Sequence, residues 1–168
     1  MTDSKPKIYL DLDNTLADFS LSTPEEVALL KMHHEGYFRN LKPVKGARSF
    51  VEMLQRIGFP VYILTKCIPT EHCKEEKRIW VKQHLPTIPE HNVFVLEVGD
   101  CKTIVAESVA GDILVDDFSE NCRSWERAGG IAIKIVLRKR KTTFKGIVVR
   151  SLREAFAEIL KMQVLSEG

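Results

Sequence analysis

In the segment Ile8-Tyr9-Leu10-Asp11-Leu12-Asp13-Asn14-Thr15-Leu16, a short apolar run passes directly into two carboxylates. An apolar run that ends in polar residues predicts a buried strand of an α/β sheet, and functional groups of such folds lie where the strands end. Two like charges this close repel and are costly to desolvate, unless a divalent cation or a charge-consuming reaction offsets the cost. Asp11 and Asp13 are therefore candidate catalytic residues. A turn in which Asp13 and Asn14 cap the next segment is the alternative.

The composition is typical of one globular domain. The chain has 168 residues, 44% of them hydrophobic, which is enough for a single core over 1–168 and too little for two. The formal net charge of +2 excludes no class of partner. No segment approaches the ~18 apolar residues of a membrane span, and the polar start at residues 1–5 is unlike a secretory signal. We therefore expect a cytoplasmic protein that makes no contact with membranes.

The four cysteines are scattered, without a CxxC pair. This spacing argues against a zinc site and against a disulfide framework, so we expect free thiols. The cysteines are Cys67, Cys73, Cys101 and Cys122.

Strand-like and helix-like segments alternate along the chain, which predicts an α/β fold with a doubly wound, mostly parallel sheet. The first helix is expected to start with Thr23 as its cap and to end at Gly36. Trp80 and Trp125 are expected in the core or on helix faces. The predicted strands are 7–11, 61–64, 93–96, 113–115 and 131–136, and the predicted helices are 24–35, 47–57, 71–84, 121–128 and 152–160.

Polar side chains stand where several of these strands should end. They are Asp11 and Asp13 after the first strand, Thr65 after the second, and the pair Asp116-Asp117 after the fourth, with Lys102 on the preceding loop. Strand ends of an α/β sheet converge on one crevice, so residues a hundred positions apart can form one site.

These residue types suit phosphoryl transfer. Asp11 can attack phosphorus to give an aspartyl-phosphate, while Asp13 protonates the leaving oxygen and later deprotonates water. We expect Mg²⁺ between Asp11, a backbone oxygen near Asp13 and the Asp116-Asp117 pair, where it would offset their repulsion. Thr65 and a lysine would donate to the phosphate oxygens.

The order of these residues resembles the four motifs of the haloacid dehalogenase (HAD) superfamily of phosphotransferases. Asp11 to Thr15 resembles the first motif (DxDxT), Ile63-Leu64-Thr65 the second, Lys102 the third and Ile113 to Asp117 the fourth. The resemblance implies a Rossmann-like HAD fold with a small helical cap insertion, and it assigns nucleophile and acid/base roles to the two aspartates of the first motif.

Longer stretches resemble the 5'(3')-deoxyribonucleotidase branch of that superfamily. The resemblance implies that Phe19 stacks near a base, that Asp117 binds magnesium and that Lys77 lies near the site, although an ordinary solvated lysine on a helix is the alternative for Lys77. The stretches are Asp11-Leu12-Asp13-Asn14-Thr15-Leu16-Ala17-Asp18-Phe19, His72-Cys73-Lys74-Glu75-Glu76-Lys77-Arg78-Ile79-Trp80-Val81, Gly111-Asp112-Ile113-Leu114-Val115-Asp116-Asp117 and Asn121-Cys122-Arg123-Ser124-Trp125-Glu126-Arg127-Ala128-Gly129-Gly130.

Three features depart from that branch. Lys66 follows Thr65 where the branch often has serine, so a cation stands where a hydroxyl would meet phosphate. Lys102 lies fourteen positions before Asp116, a longer spacing than the branch suggests. The cap, at about 19–45, has room for only one or two small helices.

The sequence thus predicts a magnesium-dependent phosphomonoester hydrolase that acts on a small phosphate such as a nucleoside monophosphate. One alternative is a more open site for a phosphorylated macromolecule, which the basic run at 138–141 would hold. A solvated loop is the favoured interpretation of that run, so nucleic acid is a possible partner but not the favoured one. A signalling receiver domain would carry its phosphorylated aspartate on a middle strand of the chain, whereas here the motif comes first. A non-catalytic phosphate-binding domain is the last alternative.

His33 and His34 are expected on a solvated helix face.

Overall fold

Six strands pair side by side in one sheet, and all five pairings are parallel. The computed structural model describes residues 5–166, and within the last helix it describes side chains as far as residue 163. The strands are β1 Ile8–Leu10, β2 Val61–Cys67, β3 Val93–Glu97, β4 Ile113–Asp116, β5 Ile131–Ile135 and β6 Ile147–Val149. Their order in the sheet is β3-β2-β1-β4-β5-β6, so the chain runs outward from β1 to β3 and then crosses to β4, on the other side of β1.

The described residues form the α-helices α1 Glu25–Lys31, α2 Ala47–Arg56, α3 Cys73–His84, α4 Ser119–Arg127 and α5 Leu152–Ser166, and short 3₁₀ helices at Phe38–Asn40, Glu90–Asn92 and Lys102–Val105. The four helices α2 to α5 cover the two faces of the sheet, as predicted for an α/β fold. Alternation along the strands separates the faces: Ile8 and Leu10 pack in one core with α2, α3 and α5, whereas Tyr9 packs in the other with α4.

Both tryptophans lie in the core, as predicted. Trp80 is 1% exposed and Trp125 is fully buried, and each indole N–H donates to a backbone carbonyl, Leu41 in the first case and Asp112 in the second. All four cysteines are free, as expected, and only Cys101 among them is exposed. No helix within residues 5–166 is both long and apolar enough to cross a membrane.

The first helix was predicted too long. α1 begins after Pro24, without a side-chain cap, so Thr23 is not its cap, and it ends at Lys31 instead of running to residue 35. Gly36 does not end the helix but adopts a left-handed turn with φ of 89°, a conformation that costs glycine little. His33 and His34 are solvent-exposed, as expected, but they follow the helix instead of lying on it.

The other differences concern boundaries and one missed strand. β6 was missed because three residues at the edge of a sheet are too few to show a pattern. β2 continues to Cys67, so Thr65 lies inside the strand and not at its end. α3 begins at Cys73, and α5 extends to Ser166.

The chain between β1 and α2 leaves the sheet layer and returns to it. At its base the Asp18 N–H donates to the Lys42 carbonyl at 2.8 Å, and the Val44 N–H donates to the Leu16 carbonyl at 2.8 Å. The excursion between these bonds contains α1 and the 3₁₀ helix Phe38–Asn40, and we refer to it as the cap.

Several side chains from the main body fasten the cap. Glu76 of α3 is buried, and its carboxylate accepts the N–H groups of Gly36 and Phe38. The Arg138 guanidinium donates to the carbonyls of Leu21, at 3.2 Å, and Thr23, at 2.7 Å. With the Trp80–Leu41 bond, these contacts tie the cap to the body at separate points.

Candidate active site

The loop after β1 is a compact turn that fixes the two aspartates. The Leu12 carbonyl accepts the N–H groups of Thr15, Leu16 and Ala17 at 3.0, 2.9 and 2.8 Å. Asn14 has φ of 58°, a left-handed conformation that asparagine tolerates, and its side chain accepts the Ser20 N–H at 2.8 Å. The capping interpretation was therefore right about Asn14, whereas the Asp13 carboxylate faces the lysines described below.

Three carboxylates gather where β1 and β4 end. Asp11, Asp116 and Asp117 each place an oxygen within 4.8 Å of the others. Burial raises the pKa of Asp11 to about 7, an effect that Lys102 reduces and Asp116 and Asp13 reinforce. Burial, with Asp11 and Asp116 nearby, also raises the pKa of Asp117. The cluster is thus electrostatically short of positive charge.

This donor set fits a small, hard divalent cation. It consists of oxygens only, and Mg²⁺ prefers one or two carboxylates together with water and phosphate oxygens. Asp11, Asp116 and Asp117 are the residues that could hold it. The Asp13 carboxylate does not belong to this group, so Asp13 could contribute only the backbone oxygen expected from the sequence.

Lys102 lies between two of the carboxylates. Its ammonium is 2.7 Å from Asp11 Oδ1 and 2.6 Å from Asp116 Oδ2, and the side chain is 1% exposed. Burial lowers the pKa of Lys102, but attraction to Asp11 and Asp116 outweighs burial and leaves the pKa raised. The unusual spacing from Asp116 is accommodated by the 3₁₀ helix that Lys102 begins.

Lys77 of α3 forms a second lysine–aspartate pair. Its ammonium is 2.6 Å from Asp13 Oδ2, 3.0 Å from Thr65 Oγ1 and 2.6 Å from the Lys66 carbonyl. The side chain is 2% exposed, so the alternative of an ordinary solvated lysine is wrong. Lys77 and Lys102 therefore hold one aspartate of the first motif each.

Lys66 lies beside the carboxylates but does not touch them. Its ammonium donates to Asn121 Oδ1 at 3.0 Å, and the Asn121 amide donates in turn to Asp116 Oδ2 at 3.0 Å. Lys66, which stands where the related branch often has serine, is thus linked to Asp116 through the Asn121 side-chain amide.

Sequence analysis missed two polar residues of this region, Asn121 and Lys134. Lys134 is buried on β5 beside Asp116 of β4, and its ammonium donates to the Asp117 carbonyl. Burial lowers the pKa of Lys134. A lysine inside the apolar strand Ile131–Ile135 was a signal available in the sequence, because an unpaired buried charge needs a partner.

Phe19 belongs to an aromatic cluster at the base of the cap. Its ring centroid lies 5.7 Å from that of Tyr37 and 6.3 Å from that of Phe38. The Lys77 ammonium is 4.8 Å from the centre of the Phe38 ring, so this cluster borders the site. Phe19 is half-buried.

Comparison with known proteins identifies a family. A model of the family described as "5' nucleotidase, deoxy (Pyrimidine), cytosolic type C protein" matches residues 15–162. The human cytosolic-type 5'(3')-deoxyribonucleotidase is 35% identical over 99 residues, which cover 54% of this chain and 45% of the human protein. A Vibrio phage KVP40 protein provisionally named 5'(3')-deoxyribonucleotidase is 37% identical over 90 residues, 48% of this chain and 52% of that protein. The match thus spans about half the length of these curated relatives.

Solved structures share the fold. A provisionally assigned HAD-hydrolase from Bacillus subtilis, solved with magnesium bound, has a TM-score of 0.68 at 12% identity, covering 92% of this chain and 98% of that one. L-2-haloacid dehalogenase from Xanthobacter autotrophicus, with chloropropionic acid covalently bound, has a TM-score of 0.64 at 10% identity, covering 94% and 99%. At these identities the likeness establishes a HAD-type fold.

Proposed function

The chain belongs to the 5' nucleotidase, deoxy (pyrimidine), cytosolic type C family, and on that premise we propose that it is a magnesium-dependent phosphatase that hydrolyses (deoxy)nucleoside monophosphates through an aspartyl-phosphate. One observation carries the proposal: Lys102 binds Asp11 within the cluster of three carboxylates, and a second lysine–aspartate pair, Lys77–Asp13, accompanies it. This arrangement places a nucleophile, an acid/base and a cation site together at the carboxyl ends of the strands.

Asp11 supports the role of nucleophile. Lys102 binds Asp11 Oδ1, which orients the carboxylate and leaves Oδ2 without a bond to that lysine. Attack by Oδ2 on phosphorus forms the aspartyl-phosphate and breaks the bond to the ester oxygen. Burial of Asp11 limits the water that could compete for this oxygen.

Asp13 supports the role of acid and base. Its side chain is 29% exposed, compared with 10% for that of Asp11, so it is the more accessible of the two to a leaving group and to water. Asp13 would protonate the departing oxygen and then take a proton from the water that hydrolyses the aspartyl-phosphate. Lys77, bonded to Asp13 Oδ2 and to Thr65, would hold the carboxylate in place while Thr65 Oγ1 donates to a phosphate oxygen.

The carboxylate cluster supports the need for a metal. Asp11, Asp116, Asp117 and a backbone oxygen at Asp13 would hold it. When bound, magnesium would supply the positive charge that lets a phosphate approach these carboxylates. Thr65 would then donate to a phosphate oxygen on which charge builds up, with the Lys77 ammonium as a positive charge beside it.

Metal removal tests this proposal directly. We expect purified protein to release phosphate from deoxynucleoside monophosphates with magnesium, to lose that activity in a chelator and to regain it when magnesium is added back. Magnesium should also raise the melting temperature, because it binds the folded state, and Asp116→Asn should abolish that shift. Phosphate release that persists in the chelator would contradict the proposed metal.

The aromatic cluster leads to a prediction about the nucleoside. If Phe19 stacks on the base, Phe19→Ala should weaken nucleoside monophosphates by about 1–3 kcal/mol and leave an aryl phosphate much less affected. The measurement is kcat/KM for both substrates. Phe94→Ala, which removes another half-buried ring that packs with Tyr62 in the core on the α4 side of the sheet, is the matched control and should not discriminate between them. Equal losses on both substrates in Phe19→Ala would mean that Phe19 only packs the cap.

A further inference from the structure

The segment between β5 and α5 contains basic residues but no acidic ones. Residues 136–151 contain six of the 25 Lys and Arg residues of the chain and none of its 23 Asp and Glu residues, so the remainder has an acidic excess. The overall net charge of +2 therefore conceals a strong local asymmetry. The six residues are Arg138, Lys139, Arg140, Lys141, Lys145 and Arg150.

Most of these cations surround an open groove. Its volume is about 540 Å³, and its lining runs from Val136 to Lys141 and includes Arg150. The Arg150 guanidinium donates to the Arg140 carbonyl at 3.0 Å, which fixes the shape of the loop. The lining thus combines two apolar residues, Val136 and Leu137, with five basic ones.

The groove adjoins the carboxylate cluster. A narrow cavity of about 20 Å³ shares Arg138 and Arg140 with the groove and is also lined by Asn14 and Asp117. It holds about one water, so it shows how near the groove lies to the carboxylate cluster but admits neither a phosphate nor a nucleoside. A strand in the groove would therefore lie outside the site and present its terminal phosphate through the opening that a mononucleotide also uses.

The fold itself uses only part of this charge. Arg138 is committed to the cap through Leu21 and Thr23, and Arg140 lies 3.8 Å from Glu25, with both side chains more than half exposed. Lys139 and Lys141 are exposed and form no hydrogen bond or ion pair with residues 5–166. Their positive charges are therefore not engaged by the described part of the chain and are available to an anionic ligand.

We propose that this groove binds the phosphodiester backbone of a single-stranded nucleic acid whose terminal phosphate enters the site, so that the protein acts on phosphorylated strand ends as well as on mononucleotides. The hydrolysis step rests on the function proposed above; binding in the groove does not. Several cations along a groove match the repeating charges of a strand, and a single phosphate would need fewer.

The test compares two double variants of equal charge. Lys139→Gln/Lys141→Gln removes the two unpaired groove cations, and Lys45→Gln/Lys82→Gln removes two exposed lysines outside it. Each pair is measured in wild type for kcat/KM on thymidine 5'-monophosphate and on a 5'-phosphorylated thymidine tetranucleotide. Each is also measured in the Asp11→Asn background for binding of the tetranucleotide at 50–200 mM salt.

We expect the groove variant to lose tetranucleotide affinity and to show a salt slope smaller by about 1.4, about 0.7 for each lost phosphate contact. Its kcat/KM should fall about fivefold or more on the tetranucleotide and less than twofold on the mononucleotide, whereas the control variant should match wild type. Equal effects of the two variants, or no tetranucleotide binding by wild type, would overturn the inference. A wild-type protein that binds the strand through the groove but hydrolyses neither substrate would overturn the proposed function alone.

Discussion

Replacing Asp11 by Asn should reduce phosphate release on the order of 10⁴-fold or more, the scale on which loss of a nucleophile acts in other hydrolases. The amide keeps the shape of the carboxylate and can still accept from Lys102, but it cannot attack phosphorus. The fold should survive, since the change removes a buried charge whose pKa of about 7 already shows how poorly the site tolerates it. Phosphate release and thermal melting, measured on the same preparation, check both statements.

The matched control for this variant is Asp112→Asn. Asp112 precedes β4, at the amino ends of the strands and so away from the site, and it accepts the Lys7 N–H at 2.8 Å, a bond that an amide oxygen can keep. The two variants lose the same charge, but only Asp11→Asn should lose activity. Full turnover in a folded Asp11→Asn protein would rule out the aspartyl-phosphate.

Sequence reasoning found the strand-end residues because the relevant signals are local. An apolar run followed by a carboxylate is visible within five residues, and Asp11 and Asp116 were recognised in this way. Parallel pairing then brings the two together: Leu10 is level with Val115, so Asp11 and Asp116 follow side by side. The fold class and the members of the cluster therefore follow from short patterns and one topological rule.

Residues that act across long separations escaped the same reasoning. Glu76 looks like a surface residue of α3 until Gly36 and Phe38, about forty positions earlier, turn their N–H groups toward it. Asn121 and Lys134 belong to the site only through tertiary contacts. The Asn121 amide donates to the Asp116 carboxylate, and the Lys134 ammonium donates to the Asp117 carbonyl. Pairings of this kind depend on tertiary packing, which no periodicity encodes.

The length of α1 was missed for a related reason. The segment after Lys31 has residues compatible with a helix, but the cap needs Gly36 in a left-handed turn so that its N–H reaches Glu76. A buried carboxylate that accepts backbone N–H groups stabilises the fold more than about one further turn of exposed helix would. Tertiary contacts therefore overruled local propensity at this point.

Ion pairs with lysines explain why the site can bury several aspartates. Asp11, Asp13 and Asp116 each meet a lysine ammonium within 2.7 Å, whereas the Asp117 carboxylate has no such partner in the described part of the chain. Lys134 binds the Asp117 carbonyl, so it stabilises the loop more than the charge. Asp117 is accordingly the carboxylate that gains most from a bound cation.

Removing Lys102 should therefore destabilise the protein strongly and in a pH-dependent way. Lys102→Met leaves Asp11 and Asp116 buried without their shared cation, a loss of about 3–5 kcal/mol in the free energy of unfolding for a broken buried ion pair. The pKa of Asp11 is already raised from its usual 3.8 to about 7, and loss of Lys102 raises it further. Denaturant unfolding at pH 5 and pH 8 measures the effect.

The sign of the pH dependence follows from proton binding. A carboxyl whose pKa is higher in the folded than in the unfolded state binds more protons when folded, so stability falls as pH rises above about 4 and through the folded pKa. The deficit of Lys102→Met relative to wild type should thus be smaller at pH 5 than at pH 8. Adding Asp11→Asn to the variant should recover part of the stability at pH 8, because it removes one of the two unpaired charges. A deficit that is the same at both pH values and is not relieved by Asp11→Asn would mean that Lys102 contributes packing instead of charge.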